Sequence, residues 1–578
     1  MTKTRLYAAL SLALLVTPVS QAAKYRVVEL PVIAEGKSSF PSAINENSNI
    51  TVNVSTPYNI PIDLELLDFE SETLINNLTD IESARNGDFN SADYEFLLSL
   101  IRSADGLQSA QQIANTNSFL TSEMEVNYIS GFDKLIDQGN EFSIGTNTNV
   151  RDINNSDFAV GSGEGAYGKV NYTTENGEEI IFVVHEFGTR GFVSHNGNIV
   201  GLPAPAKIAG GFSDAFGINE SNQVVGYGTT LIVPDSLETA LTDCENEDLI
   251  DDDDPDTIDF PLRGDVPIES CISSVVDSFS NSISTFSQLR GLIWQLDSQG
   301  NLLDTKVLGL LFEPEADDTV NYSSQALAIN DNGIAVGISN GQYSENGATV
   351  TRNFGVIFDE DNIINLTPEP DSIVARTSQT ISSAADINNN NLVVGYQVKS
   401  VNGSNRTKFF VYDMNLDEIT FPDDFFLGSS SVALDINNNG LVVGYGDVDA
   451  SLTGRRTEGF LYEHEAKQFY SVQDLISCDS PFTIVQANSI NDKNEIVATA
   501  LYKGPARDSS GNVIIDSSGS ETIVDLVVAV KLEPIIDGLV EECDIPSNQI
   551  NRERQGASLF WILGLGFALL SWRRFQSF

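Results

Sequence analysis

The sequence predicts an all-β fold: a β-propeller of about seven four-stranded blades, with a small helical insertion and a C-terminal hydrophobic helix. Three observations predict it. A small or acidic residue followed by Ile-Asn recurs seven times. A polar turn follows each copy, and usually a Val-rich strand follows the turn. An Arg-led aromatic strand lies about twenty residues further on in the compact copies.

The copies are Ala43-Ile44-Asn45, Asp152-Ile153-Asn154, Gly217-Ile218-Asn219, Ala328-Ile329-Asn330, Asp386-Ile387-Asn388, Asp435-Ile436-Asn437 and Ser489-Ile490-Asn491. Their Asn residues are spaced by 109, 65, 111, 58, 49 and 54 residues, so the last three intervals show the undisturbed unit. The strand after the turn is Val224-Val225-Gly226-Tyr227, Leu392-Val393-Val394-Gly395-Tyr396 or Leu441-Val442-Val443-Gly444-Tyr445. The downstream strand opens on Arg190, Arg290, Arg352, Arg406 or Arg456 and ends in a polar turn such as His195-Asn196-Gly197-Asn198. Each unit thus holds about four short strands joined by Asn/Gly turns, which supply the positive φ of tight hairpins. Such a unit cannot bury its faces alone and must stack on neighbours around a ring.

The repeat body is expected over 23–545, with insertions at about 70–140 and 231–289. The first contains Ala92 to Ile101, whose apolar spacing predicts a helix capping one face of the ring. The second lies between a Val-Val-Gly strand and its Arg strand, and contains Asp251 to Asp256, a dense charge run that reads as a solvated loop. The repeated Arg residues are expected to fork onto an Asp or a backbone carbonyl of the Ile-Asn segment and fix blade register.

The 578 residues carry 82 Asp plus Glu against 31 Lys plus Arg, a formal net charge of −51. Nucleic acid is therefore excluded as a partner, because it demands a cationic footprint. Three His and four Cys cannot build multiple metal centres, though a single site stays open. No pattern calls for a cofactor, and no catalytic residue is assigned. Gly337-Ile338-Ser339-Asn340-Gly341 matches a nucleophile elbow but lacks the helix that exposes the Ser. Gly163 to Gly168 matches a dinucleotide fingerprint, again with no helix to follow. Asp435 to Gly440 opens like a calcium loop, but its twelfth position is Gly446, and in the sister copy Gln397, so both read as Asx turns. His185, His195 and His464 are isolated and read as structural or surface residues.

At the N-terminus, Lys3 and Arg5 precede the apolar run Leu6 to Val16, and Ser20-Gln21-Ala22 offers a cleavage site. This predicts a signal peptide over 1–22, cut after Ala22. Export to an oxidising compartment leaves three possible pairings of four Cys. Proximity favours Cys244 with Cys271 and Cys478 with Cys543. A linker over 546–555 leads to Gly556-Ala557-Ser558, the apolar run Leu559 to Trp572, and Arg573-Arg574. That run, counted from Gly556, just reaches the length that spans a bilayer. It gives a membrane contact over 556–578 with the basic end cytoplasmic.

This tail resembles the GlyGly-CTERM sorting signal of Gram-negative bacteria, with Ala557 where a second Gly is usual. The resemblance implies cleavage near Gly556 by a rhombosortase and transport by the type II secretion system. A retained anchor is the alternative. The Ile-Asn and Val-Val-Gly pattern with its aromatic strand resembles the HAF-repeat extracellular proteins. With the Tyr25-Arg26-Val27-Val28-Glu29 start, residues 24–534 look like a domain-of-unknown-function family of exported bacterial proteins. This implies a cell-surface or secreted location and carries no catalytic residue across. The expected function is a binding face for an unknown extracellular ligand, glycan or protein. The alternatives are an enzyme acting on extracellular polysaccharide, with carboxylates in the propeller funnel, and a periplasmic envelope assembly factor.

Overall fold

Seven four-stranded antiparallel sheets form a ring. The computed structural model describes residues 24–541 and Cys543, apart from 105, 137–140, 234, 247–260, 316–317, 346–347, 360–361 and 451–453. Ala22, Asp251 to Asp256, Gly556 and the apolar tail lie outside the described residues. Strands are lettered a to d from the channel outward. The a strands are Gly36–Ile44, Thr148–Ile153, Ser213–Ile218, Ser324–Ile329, Ser382–Ile387, Ser431–Ile436 and Thr483–Ile490, in blades 1 to 7. Blade 5 shows the plan: a continues into b (Leu392–Val401), c (Ser404–Asp413) and d (Glu418–Thr420). Chain direction alternates, so the a–b and c–d turns share one face, and the b–c and d–a connections share the other.

Each Val-Val pair is buried on both sides because consecutive strand residues point to opposite faces and every blade face is covered. Val224 packs toward blade 2 with Val160 and Val193, and Val225 toward blade 4 with Ala326 and Val356. Val393 and Val394, and likewise Val442 and Val443, divide between successive interfaces in the same way. Each such side chain contributes roughly 1.5–3 kcal/mol of burial.

The Gly that follows has a separate cause. All seven a strands carry a bulge at one place, between Ala384 and Asp386 in blade 5 and at corresponding positions elsewhere. The bulge turns a carbonyl toward strand b. A Cβ on Gly161, Gly226, Gly337, Gly395 or Gly444 would lie 2.0–2.1 Å from an a-strand carbonyl oxygen. Val52 and Ala498 occupy this place in blades 1 and 7, the two degenerate copies.

The motif Asn builds the turn and then joins the ring. Its Oδ1 accepts the amide four residues on in every blade, at 2.9–3.1 Å. The residue three after it takes a positive φ in all seven: Ser48, Asp157, Asn222, Gly333, Asn391, Gly440 and Asn494. Its Nδ2 donates to the carbonyl of the corresponding Asn in the next blade. Asn45 donates to Asn154, and so on to Asn491, which donates back to Asn45, at 2.9–3.2 Å. These seven side chains are 2–5% exposed. A second closed belt runs beside the first. The backbone N–H of Glu46, Asn155, Glu220, Asp331, Asn389, Asn438 and Asp492 each donates to the side chain of the next of these residues, at 2.6–3.0 Å. The sequence reading recognised the Asx turn in these residues and missed both belts.

The ring closes by mixing its ends. Strand Tyr25–Glu29 precedes the first motif and forms the outer strand of blade 7, paired with Ile523–Pro534. Lys531, 3% exposed, pairs with Glu123 and Glu533 (2.7 Å each), and Arg26 also pairs with Glu533. Burial opposes ionisation of Glu533, but Lys531 and Arg26 win and bring its pKa down to about 2. The seam's ionic contribution is therefore complete above the ordinary Glu range and is lost as pH falls toward 2.

The disulfides join Cys244 to Cys271 and Cys478 to Cys543. The second closes a 65-residue separation, a loop that stabilises by roughly 4 kcal/mol in the chain-entropy picture.

The repeated Arg residues act elsewhere than expected. Arg190, Arg290, Arg352 and Arg406 donate to the carbonyls of Gly210, Tyr322, Ala375 and Gly428, in the connections that lead into the next a strand. The acceptor is a backbone carbonyl, but it lies at the opposite end of the blade from Ile-Asn, because the start of strand c lies on the b–c face. In the fifth copy Arg455 rather than Arg456 reaches such a carbonyl, that of Gly428 (3.0 Å), and pairs with Asp447 (2.6 Å). Arg406→Met keeps the apolar stem and loses the bonds to Gly428 and Asn405. Urea titration is expected to show a loss of about 1 kcal/mol.

Candidate functional site

Helices and a hairpin crowd one sector of the b–c face. In blade 1, α1 (Glu72–Asn77), α2 (Ile81–Ala84) and α3 (Ser91–Ser103) lie between strands b and c. Tyr94, Leu97, Leu98 and Ile101 of α3 are buried, as the spacing predicts. Residues 116–121 and 126–129, inside the stretch expected as an insertion, are strands c and d of this blade. In blade 3, α4 (Asp235–Glu245) and α5 (Ile268–Ser280) flank the acidic run and are joined by Cys244–Cys271. In blade 2 a hairpin, Gly168–Thr173 with Glu179–Val184, occupies the same place.

These excursions bind one another. Gln108 Nε2 donates to Ser270 O and Ser274 Oγ (3.0 Å each). Lys169 pairs with Asp63 (3.0 Å) and Glu65 (2.6 Å), and Tyr172 donates to Asp265 (2.9 Å). His185 pairs with Asp277 of α5 at 2.8 Å. From blade 7, Ser509 O accepts Asn59 N (2.8 Å). A continuous cap therefore covers blades 7, 1, 2 and 3. Blade 5 turns from b to c through Asn402 and Gly403 alone, both at positive φ, and so adds no excursion of its own; the short helix Ser372–Thr377 of the preceding connection packs beside it.

A cleft of about 320 Å³ lies on this face between blades 5 and 6, lined by Tyr396, Thr407, Ser430, Val432, Tyr445 and Asp447. All six are half-buried. Tyr396 and Tyr445 each follow the Gly of the Val-Val-Gly strand. Burial first, and then the neighbouring Tyr445, push the Tyr396 phenol upward. Asp447 Oδ2 accepts Arg455 Nη1 (2.6 Å) and Ser430 N (3.2 Å). The phenol, Thr407 and Ser430 hydroxyls of these lining residues have no hydrogen-bond partner among the described residues. The Tyr following Val-Val-Gly was visible in the repeat; its convergence with blade 6 was not, because it depends on how neighbouring blades are offset.

The acidic copies of the motif line the channel wall instead. Asp152, Asp386 and Asp435 spend Oδ2 on the amides of Ile218, Ile436 and Ile490 in the next blade, at 2.8–2.9 Å. Burial raises Asp152 to about 7. Burial and then the adjacent Asp435 raise Asp386. A carboxyl whose folded pKa lies above its unfolded value costs stability as pH rises from the unfolded toward the folded value. Asp152→Asn keeps an acceptor for Ile218 N and removes that cost. It is expected to gain roughly 2 kcal/mol on wild type between pH 4 and pH 8, read from urea midpoints at each pH.

Ser339 of the elbow-like sequence is fully buried within a strand, where its hydroxyl donates to Asn340 O (2.9 Å). His195 stacks on Phe158 at 4.0 Å. The Asp435 and Asp386 segments end an a strand and enter its turn. Among the described residues, no group of three or more His, Cys, Asp or Glu is placed to hold a metal ion, and no helix is long and apolar enough to cross a membrane.

Fold and cleft together define a seven-bladed β-propeller with one face sealed by hydrogen-bonded belts and the other partly capped. The chain belongs to the family described as protein of unknown function (DUF3466), which matches residues 4–575. No curated protein matches it. A solved structure of a puromycin-hydrolyzing peptidase from Mycobacterium tuberculosis aligns over 84% of this chain at 7% identity and a TM-score of 0.24. The chain spans 62% of that protein's length, and a likeness this slight carries no argument.

Proposed function

We propose that this protein is an exported β-propeller, surface-attached or secreted, that presents its b–c face to an extracellular glycan or protein and catalyses no reaction. The observation that carries this reading is the asymmetry of the faces. Amides and carbonyls at the a–b turns are spent on the two belts, whereas the b–c face holds a cleft of unpartnered hydroxyls beside a built cap. Two disulfides support an oxidising compartment, and the signal peptide and sorting tail read from the sequence support export.

Among the described residues, the cleft lacks the acid pair that the polysaccharide-enzyme alternative needs. Glycoside hydrolysis needs two carboxyls about 5 Å or about 6.5–9.5 Å apart across a substrate. Asp447 is the one carboxylate lining the cleft, and the raised channel carboxyls are bonded to amides of the ring.

The test combines fractionation with face blocking in the native host. Intact mass should end near Gly556, with the protein on the surface or in the medium. A polyethylene glycol coupled to Asn402→Cys on the b–c face should abolish attachment to host extracellular material, while the same polymer on Lys493→Cys at the a–b face should not. Full-length protein in the inner-membrane fraction, or loss of attachment through Lys493→Cys alone, would overturn the reading.

A further inference from the structure

We propose that the cleft between blades 5 and 6 binds one uncharged sugar unit of a glycan; this rests on the binding-face reading and names its ligand class. The first support is the lining. Tyr396, Tyr445, Thr407 and Ser430 line the cleft, and their hydroxyls have no hydrogen-bond partner among the described residues. Both bonds to Asp447 fall on Oδ2, which leaves Oδ1 to accept a hydroxyl. A sugar offers many hydroxyls that both donate and accept, together with apolar C–H faces that lie against phenol rings.

The second support is that blades 2 and 3 fill the equivalent space. At blades 2 and 3 the bulge residues are Arg151 and Phe216. The Arg151 guanidinium sits 4.6 Å over the Phe216 ring, and Tyr227 packs on Phe212 (5.4 Å) and Phe216 (5.9 Å). At blades 5 and 6 the same two positions hold Ala385 and Leu434, which are shorter and leave the Tyr445 side open. Ser430, which lines the cleft, likewise stands where blade 3 has Phe212.

Size and charge narrow the occupant further. About 320 Å³ lies at the low end of small-molecule sites, roughly 300–1,000 Å³, so one unit is enclosed while the chain continues outside. A net charge of −51 and a carboxylate in the cleft disfavour uronic-acid and sulfated glycans.

Isothermal titration would use the full exported body with cellohexaose, maltohexaose and mannohexaose, and with hexagalacturonate as the anionic control. At least one uncharged hexasaccharide is expected to bind, and hexagalacturonate is not. Tyr396→Ala and Tyr445→Ala should each weaken binding about tenfold or more. Thr407→Val, which preserves shape and melting temperature, should weaken it about threefold. If no uncharged sugar binds but the protein still attaches to host material through its b–c face, this inference falls and the binding-face reading stands. If neither occurs, both fall. Tighter binding of hexagalacturonate, or binding untouched by all three substitutions, also overturns the inference.

Discussion

A protein that lacks residues 24–30 is expected to lose cooperative unfolding and to aggregate. Those residues supply the outer strand of blade 7, and their removal uncovers the edge of Ile523–Pro534 from Val530 to Pro534. An unpaired, regular strand edge is a template for other chains. Tyr25 and Leu30, 6% and 1% exposed, would also leave their cores, one between blades 6 and 7 and one between blades 7 and 1. The loss is larger than that of any single side chain because the ring depends on contacts at both sides of every blade. Light scattering during a thermal ramp should show early aggregation, and a peptide of residues 24–34 added in trans should restore a single transition. A truncated protein that melts sharply near the wild-type temperature would mean that the seam is not closed by this strand.

The second large effect falls on the Asn belt. Asn388→Ala removes one donor and one doubly used acceptor at a site 4% exposed. It leaves Asn390 N and Leu392 N without these partners and Asn437 O with the Gly440 amide alone. At about 1–3 kcal/mol for each buried polar group so stranded, partly offset where Asn390 reaches water, the loss should be roughly 2–4 kcal/mol in urea. Asn388→Asp separates the two roles. It keeps the acceptor and loses the donor, so turn and belt can be scored apart. If Asn388→Ala costs less than about 1 kcal/mol, the belt is not what holds neighbouring blades in register.

The blade count, the strand order within a blade and the turn chemistry were legible because each repeats locally, within a stretch that the sequence writes out. Ile387 and Asn388 announce the end of an inner strand, and Val393-Val394 announces a strand buried on both faces. What lay beyond the sequence was whatever two blades share. Asn388 reads as a turn residue, and nothing local says that its amide reaches Asn437 of the next blade. Arg406 reads as a register clamp, yet the carbonyl it finds belongs to a connection with no pattern of its own. Tyr25 to Glu29 reads as a strand, and its partner lies some 500 positions away. Blade 7 did carry a signal, since its last copy is followed by too few strands and the first is preceded by one too many. The cleft was the least legible feature, because Tyr227, Tyr396 and Tyr445 follow the Gly alike, and nothing local says that Tyr396 and Tyr445 line one space while Tyr227 packs on Phe212 and Phe216.

Hydrogen–deuterium exchange of the exported body, with and without the host's extracellular polysaccharide and protein fractions, tests the binding-face claim most directly. The account predicts slowed exchange in the b–c connections around 399–407 and in 428–432 and 446–450, with the a–b turns around Asn389, Asn438 and Asp492 unchanged. Protection confined to those a–b turns, or no protection from any fraction, would contradict it.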